Sequence, residues 1–185
     1  MAATDLLNLR ERAECLVPRD RVQFAIDQLA VRMAVALARR DPLILCVLKG
    51  GLPFTGELLR RWDFPLELDY LHVSRYGQDT RGGALTWHAR PRQPLAGRHV
   101  VLVDDVLDRG GTLAEVRDWA YGEGANTVAT AVLVEKDVKE ARAITVDYVA
   151  LQCPDRFLIG CGMDYQGYWR NLPAIYAVPA ELEAS

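Results

Sequence analysis

The chain has 185 residues, of which 50% are hydrophobic and 25% are charged, a length and balance typical of one globular domain with its own core. Its 22 basic and 25 acidic residues give a net charge of −3, so we expect no long-range attraction to nucleic acid or to an anionic membrane. No apolar run approaches the roughly 20 residues that a membrane span needs, and the N-terminus has no apolar block like that of a signal peptide. The four cysteines are scattered, without a Cys-x-x-Cys pair, which argues against zinc and predicts a reduced, cytoplasmic protein.

The first half of the chain predicts alternating helices and strands. Apolar residues recur every three or four positions over residues 22–37, after Pro18, which is typical of an amphipathic helix. The apolar run at residues 43–48 is too short for a helix and predicts a strand that is buried on both faces. Residues 54–61 then predict a helix, and residues 66–73 a strand.

The alternation continues in the second half. Residues 76–98 are rich in Gly, Arg, Gln and Pro and predict a long connection of the kind that forms lids or is disordered. Residues 99–103 predict a second buried strand, residues 112–121 a helix and residues 127–134 a third strand. This order predicts an α/β fold with a mostly parallel sheet flanked by helices. Ligands bind at the carboxyl ends of strands in such sheets, so we expect the site there.

The segment after the second predicted strand carries the strongest chemical signal. Gly110 and Gly111 form a turn before a predicted helix, where backbone N–H groups can bind an anion, and Thr112 can add a hydroxyl. Carboxylates beside a phosphate would repel it, so they make sense as groups that hold sugar hydroxyls, a cation or a substrate proton. The alternative is an ordinary strand-to-helix turn with solvated acids. A P-loop is excluded because GxxxxGK[ST] is absent. The acids are Asp104, Asp105 and Asp108.

This segment closely resembles the motif that binds 5-phosphoribosyl-1-pyrophosphate (PRPP) in type I phosphoribosyltransferases. The resemblance implies that Asp104 and Asp105 hold the ribose hydroxyls, and that Asp108 is the catalytic residue that accepts or shields the proton on purine N7. The implied substrate contacts are Asp104, Asp105, Val106, Leu107, Asp108, Arg109, Gly110, Gly111 and Thr112.

Two arginines depart from the family pattern. Arg109 stands where the family usually has a small residue, commonly Thr, that contacts the 5′-phosphate. Its side chain has three destinations: over the phosphate as a clamp, outward into solvent, or in a surface ion pair. Arg75 stands where Ser is common, in a segment (residues 74–77) that resembles the start of the family's mobile loop and that includes the implied substrate contact Tyr76. Closure of that loop would exclude water from the reacting centre.

The first buried strand ends in a Leu-Lys-Gly-Gly turn that resembles the family's pyrophosphate loop. The resemblance implies substrate contacts from Lys49 and Gly50 and a cis peptide bond between Leu48 and Lys49. Lys49 is notable because only three of the basic residues are lysines, the others being Lys136 and Lys139. Strand-Gly-Gly turns are common, however, so an ordinary turn is the alternative.

Residues 147–173 resemble the C-terminal hood of hypoxanthine-guanine phosphoribosyltransferases in order and spacing, and the whole resemblance covers about residues 15–178. It implies that Lys136 donates to the purine 6-oxo oxygen, which adenine lacks, and that Phe157 stacks on the base. The backbone at Arg156 and Leu158 would frame the edge of the base. The alternatives are a surface lysine and a phenylalanine that only packs in the core.

The same hood implies a metal and a pyrophosphate contact. Asp164 would bind Mg²⁺, a hard cation that prefers oxygen ligands, and Arg170 would pair with pyrophosphate. A helix N-cap is the alternative for Asp164. Asp104 and Asp105 are the further candidate metal ligands.

The resemblance implies a purine-salvage enzyme that transfers 5-phosphoribosyl from PRPP to hypoxanthine or guanine with Mg²⁺. We expect one domain over residues 1–185, with its core at about 20–135, a hood from about 1–19 and 145–180, and a mobile loop at about 74–94. A homodimer or homotetramer without nucleic-acid or membrane partners is expected. The alternatives are a xanthine-selective relative and a non-catalytic PRPP sensor that binds nucleic acid, which the acidic charge disfavours.

Overall fold

The computed structural model describes residues 3–75 and 85–183. No helix in these ranges is both long enough and apolar enough to cross a membrane. The elements follow one another as α1 (Ala3–Arg12), β1 (Glu14–Val17), α2 (Arg19–Leu37), β2 (Pro42–Leu48), α3 (Gly51–Leu59), β3 (Glu67–Arg75), β4 (Leu85–Ala89), β5 (His99–Leu107), α4 (Gly111–Gly122), β6 (Thr127–Asp137), β7 (Tyr148–Pro154), β8 (Leu158–Ile159), β9 (Ile175–Ala177) and α5 (Ala180–Glu183).

A six-stranded sheet forms the centre of the fold, in the order β4-β3-β2-β5-β6-β7. All its neighbouring strands are parallel except β4, which pairs antiparallel with β3. The predicted α/β fold with a mostly parallel sheet is therefore confirmed. Because the strands run in parallel, the carboxyl ends of β2, β5 and β6 meet at one edge of the sheet.

Two layers of apolar side chains cover the two faces of this sheet. Helix α2 buries the residues that its spacing predicted, Val22, Ile26, Leu29, Met33 and Leu37, in one layer together with part of α3. Helix α4 packs in the other layer. Alternate residues of β2 and β5 belong to the two layers, so these strands are covered on both sides, as their uninterrupted apolar runs predict.

The strands that carry Lys136 and the acidic pair, Asp104 and Asp105, are longer than the sequence predicts. Strand β5 continues to Leu107 and β6 to Asp137, and the two pair as far as Leu107 with Glu135. Hydrogen bonds from neighbouring strands extend the sheet past the apolar residues, so Asp104, Asp105 and Lys136 lie within strands and not after them.

Two further expectations from the sequence are corrected by the sheet. The predicted connection at residues 76–98 contains β4, in which Leu85 and Trp87 pack on the core while Thr86 and His88 are exposed. Residues 76–84 lie outside the described ranges. The hood was expected to begin at about residue 145, but β7 pairs with β6 in the main sheet.

A second sheet, in the order β1-β9-β8, joins segments from both ends of the chain. Strand β9 pairs antiparallel with β1 on one side and with β8 on the other. Strand β8 directly follows Phe157, so this sheet holds the hood segment beside the carboxyl edge of the main sheet.

Candidate active site

A cavity of about 840 Å³ lies at the carboxyl ends of β2, β5 and β6 and extends to the segment that follows β7. The predicted site residues line it, with two exceptions. Tyr76 lies outside the described residues. Arg156 does not line the cavity, and its guanidinium instead contacts the carboxylate of Glu14 and the carbonyl of Val178. The lining residues from the prediction are Lys49, Gly50, Asp104, Asp105, Val106, Leu107, Asp108, Arg109, Gly110, Gly111, Thr112, Lys136, Phe157, Leu158, Asp164 and Arg170.

The expected cis peptide bond is present between Leu48 and Lys49, at the turn that enters the cavity. The next residue, Gly50, packs directly against the acidic pair. A Cβ atom at this position would overlap the carboxylate of Asp105, so no larger residue fits without displacing that side chain. The turn after β2 and the end of β5 are therefore held in direct contact.

The acidic pair is the most electrostatically unusual part of the cavity. Burial raises the pKa of both carboxyls, and the neighbouring charge of Asp105 raises the pKa of Asp104 further, well above its ordinary value. Arg170 partly offsets these shifts in pKa. Each carboxylate also accepts a backbone N–H at 2.9 Å, from Asp105 to Asp104 and from Val106 to Asp105. Hydroxyl donors or a cation in the cavity would stabilise the two charges.

The start of α4 forms a second part of the cavity. Gly110 lies at the N-cap position with φ of +76°, a left-handed conformation that favours glycine, and no side chain caps this helix. Gly111, Thr112 and Leu113 form the first turn and line the cavity. The N–H groups and the positive end of the helix dipole suit this turn to a phosphate.

The side chains of Lys136 and Asp108 lie next to each other in the wall of the cavity. The ammonium of Lys136 lies 3.1 Å from a carboxylate oxygen of Asp108 and 3.8 Å from Asp155. Only 13% of the Lys136 side chain is exposed, against 50% for Asp108. The donor Lys136 and the acceptor Asp108 are therefore neighbours. This arrangement matches the 6-oxo oxygen and the N7–H, which share one edge of an oxopurine.

Phe157 and the segment that follows β7 form another wall of the cavity. Phe157 is 37% exposed, so it is not an ordinary core residue, and its ring meets Tyr165 edge-on at 5.6 Å between centroids. Asp164 accepts the N–H of Gly167 at 2.6 Å and pairs with Arg170 at 2.5 Å. No helix begins at Asp164, so the N-cap alternative is excluded.

The carboxylates do not form a preformed metal cage. Among residues 3–75 and 85–183, no three His, Cys, Asp or Glu side chains come together as ligands of one ion. The available donors are hard oxygen atoms, which suit Mg²⁺, and this ion commonly takes only one or two carboxylates together with substrate phosphates. The donor set therefore fits Mg²⁺ that is held jointly by protein and substrate.

Two arginines line the cavity in ways that the sequence did not determine: the contact of Arg109 was left open, and Arg142 was missed. Arg109 lines the cavity, and its guanidinium lies 3.4 Å from the carboxylate of Glu140, with side-chain exposures of 43% and 55%. This is the surface ion pair among its three destinations. Arg142 also lines the cavity, although no sequence motif distinguishes it from the other arginines.

Comparison with known proteins agrees with this geometry. Residues 19–166 match the phosphoribosyl transferase domain family. The chain is 33% identical over 168 residues to a hypoxanthine-guanine phosphoribosyltransferase of Streptococcus pneumoniae, covering 90% of this chain and 93% of that protein. It is 33% identical over 156 residues to the enzyme of the same description from Streptococcus thermophilus, covering 84% and 87%.

Comparison with solved structures also finds phosphoribosyltransferases of similar fold. A hypoxanthine-guanine phosphoribosyltransferase from Bacillus anthracis, with HEPES in its active site, superposes with a TM-score of 0.84 at 26% identity, covering 90% of this chain and 98% of that one. A hypoxanthine-guanine-xanthine phosphoribosyltransferase superposes with a TM-score of 0.81 at 29% identity, covering 89% and 96%.

Proposed function

Because the chain belongs to the phosphoribosyl transferase domain family, we propose that it is a purine-salvage enzyme that transfers 5-phosphoribosyl from PRPP to hypoxanthine or guanine. The products are IMP or GMP and pyrophosphate. One observation carries the proposal: the acidic pair and the turn from Gly110 to Thr112 share a single cavity with Lys136 and Phe157. These are the groups that a ribose phosphate and an oxopurine would each require.

PRPP would lie along the edge of the sheet between the turn after β2 and the start of α4. The first turn of α4 would bind the 5′-phosphate through its N–H groups. Asp104 and Asp105 would accept hydrogen bonds from the ribose hydroxyls, and their negative charge would favour the positive ribose carbon that develops as pyrophosphate leaves. Lys49 and Arg170 would stabilise the departing pyrophosphate.

The base would lie between Phe157 and the ribose, with Lys136 donating to its 6-oxo oxygen. The backbone at Leu158, which lines the cavity, would frame the far edge of the base. N9 of the base attacks the ribose carbon, so the new carbon–nitrogen bond forms as the bond to pyrophosphate breaks. The proton on N7 then passes to Asp108, which lies beside Lys136.

Mg²⁺ belongs to the proposal because the oxygen donors of the cavity suit it. Asp164 would hold the ion on the hood side, and Asp104 and Asp105 would support it from the sheet. When bound, Mg²⁺ neutralises part of the charge on the pyrophosphate oxygens. Asp164 would have to give up its pair with Arg170, which frees that guanidinium for the pyrophosphate.

The selectivity for the base is the direct test. Initial rates with PRPP and Mg²⁺ should be high for hypoxanthine and guanine, lower by at least about 10²-fold for adenine and negligible for uracil, because a site that donates to a 6-oxo group leaves a donor unpaired against adenine. Equal rates with adenine and hypoxanthine would refute the role of Lys136. Xanthine belongs in the panel because one similar structure is described as acting on it, and a preference for xanthine would favour the xanthine-selective alternative.

Arg109 supplies a second test, on the PRPP side. We infer that its guanidinium exchanges Glu140 for the 5′-phosphate when PRPP binds, because the exposed ion pair is worth only about 0–1 kcal/mol and a phosphate offers bidentate contacts. Arg109→Thr should raise the KM for PRPP by about 10-fold with little change in kcat, and should weaken the salt dependence of that KM.

Glu140→Gln is the matched control for this exchange. It removes the competing carboxylate and should leave the KM for PRPP unchanged or lower. A KM for PRPP in Arg109→Thr that equals the wild-type value at both low and high salt would assign the side chain to the ion pair alone.

Self-association and location complete the proposal. Helix α2 leaves Phe24, Val31 and Val35 exposed at spacings that place them on one face, a surface suited to a second copy in a homodimer or homotetramer. All four cysteines are free thiols, which suits a reducing cytoplasm.

A further inference from the structure

Arg142 links the two segments that carry the base-facing side chains. Its Nε donates to the carbonyl of Asp108 at 3.2 Å, and its Nη2 donates to the carbonyl of Lys136. The first carbonyl lies just after β5 and the second lies near the end of β6. One guanidinium thus connects the backbone of the residue proposed to receive the N7 proton with that of the residue proposed to contact the 6-oxo oxygen.

A third contact, with the carboxylate of Glu135, also holds the guanidinium of Arg142. Its Nη1 lies 3.1 Å from the carboxylate of Glu135, and 24% of the Arg142 side chain and 21% of the Glu135 side chain are exposed. The carboxylate of Glu135 also accepts a hydrogen bond from Gln152 of β7 at 3.3 Å. Arg142 is therefore fixed to the main sheet, and its planar fork has a separate acceptor for each of three nitrogens, which lysine could not reproduce.

Arg142 belongs to the loop between β6 and β7, residues 138–147, and the side of this loop next to the start of α4 is held by a different contact. The N–H of Ala143 donates to the carbonyl of Arg109 at 3.0 Å, and the side chain of Ile144 lies where a Cβ atom on Gly110 would point. Neither contact uses the Arg142 side chain. Loss of this side chain should therefore release Asp108 and Lys136 while the turn that binds the 5′-phosphate stays in place.

We propose that Arg142 is a positioning residue that sets the distance between Lys136 and Asp108 for binding of the oxopurine and transfer of its N7 proton. The inference rests on the proposed function. It follows from the geometry because the two side chains must meet neighbouring atoms of one base, and a displacement of about 1 Å at a reacting centre costs about 10²-fold in rate.

Steady-state kinetics of Arg142→Ala, with KM measured separately for hypoxanthine and PRPP, test the inference. The value of kcat/KM for hypoxanthine should fall by about 10²-fold, while the KM for PRPP stays within about threefold of wild type. Guanidinium ion at concentrations well below denaturing should restore part of the activity by occupying the vacated position. Arg142→Lys should restore little, because it keeps the charge and loses the fork.

Lys139→Ala is the matched control, since it removes a cation from an exposed position of the same loop. It should leave both KM values unchanged, and guanidinium should not activate it. An Arg142→Ala enzyme whose two KM values rise together with a lower melting temperature, or an Arg142→Lys enzyme with full activity, would overturn the positioning role. Wild-type enzyme that forms no IMP from PRPP and hypoxanthine would refute the proposed function and this inference with it. An active wild type with a fully active Arg142→Ala variant refutes the inference alone.

Discussion

Asp108→Ala is expected to lower kcat for IMP formation by about 10²–10⁴-fold and to change the KM for hypoxanthine far less. The carboxylate lies at the cavity wall, half exposed, with the ammonium of Lys136 at 3.1 Å. In the proposed mechanism this carboxylate meets, in the ground state, an N7–H that still holds its proton. Its contact strengthens only as that proton leaves, and a contact that strengthens in the transition state lowers the barrier more than it tightens binding.

Two variants separate the base role from general electrostatics. Asp108→Asn keeps the shape and one hydrogen-bonding oxygen but cannot take up the proton, so we expect it to be nearly as slow as Asp108→Ala. Asp155→Asn is the matched control, because Asp155 also lies near Lys136, at 3.8 Å, yet does not line the cavity. It should retain most of the wild-type kcat.

Rapid-quench measurement of the first turnover shows whether chemistry limits the rate, as the comparison of kcat values requires. If Asp108→Ala retains most of its kcat while chemistry is rate-limiting, Asp108 is not the base, and N7 loses its proton to solvent or to another group. Equal losses in Asp155→Asn and Asp108→Ala would instead assign the effect to the charge around Lys136.

The sequence predicts those features whose residues lie in one short, contiguous stretch of the chain. The spacing from Val22 to Leu37 identifies α2, because its buried face repeats with the period of a helix. The apolar run of β2 identifies a central strand. The segment from Asp104 to Thr112 predicts the phosphate half of the proposed site, because a strand end, a turn and a helix start are consecutive in the chain.

Features that depend on distant partners are missed. Asp is unfavourable in strands, so the predicted strand stops at residue 103, yet pairing with β6 carries β5 on to Leu107. Strand β4 is stabilised by its antiparallel partner β3 and lies between Gly-rich and Pro-rich residues that predict a loop. Arg142 donates to two backbone carbonyls, and no side-chain pattern in the sequence can reveal such contacts.

Asp104→Asn is expected to raise the melting temperature of the ligand-free protein at neutral pH while lowering kcat/KM for PRPP by about 10²–10³-fold. The gain in stability follows from the raised pKa of Asp104, which shows that burial and the nearby charge of Asp105 disfavour its ionised form. Asparagine keeps the oxygen that accepts the N–H of Asp105 and removes the charge of this partly buried side chain. Each kcal/mol gained would raise the melting temperature by about 2–4 °C in a chain of this length.

The raised pKa of Asp104 also determines how the stability of the wild type and of Asp104→Asn should change with pH. The pKa of Asp104 lies above its ordinary value of 3.8, so the folded protein binds the proton more tightly than the unfolded chain does. Wild-type stability should therefore increase as pH falls through the raised pKa towards about 3.8, and the advantage of Asp104→Asn, which is largest at neutral pH and above, should shrink over the same range. Thermal unfolding of both proteins from pH 4 to pH 8, without Mg²⁺ or PRPP, measures the difference.

Asp118→Asn serves as the control, since its carboxylate on α4 is 72% exposed and should leave the melting temperature nearly unchanged at every pH. The activity loss has a separate cause, because an amide cannot supply the negative charge that favours the developing ribose cation. Addition of PRPP with Mg²⁺ should raise the melting temperature of the wild type more than that of Asp104→Asn, since only in the wild type does binding compensate the charge of Asp104. A variant that melts below the wild type at pH 8 would show that the Asp104 carboxylate stabilises the ligand-free fold. The acidic pair would then have a structural role, and its charge would not be a cost to stability that substrate binding offsets.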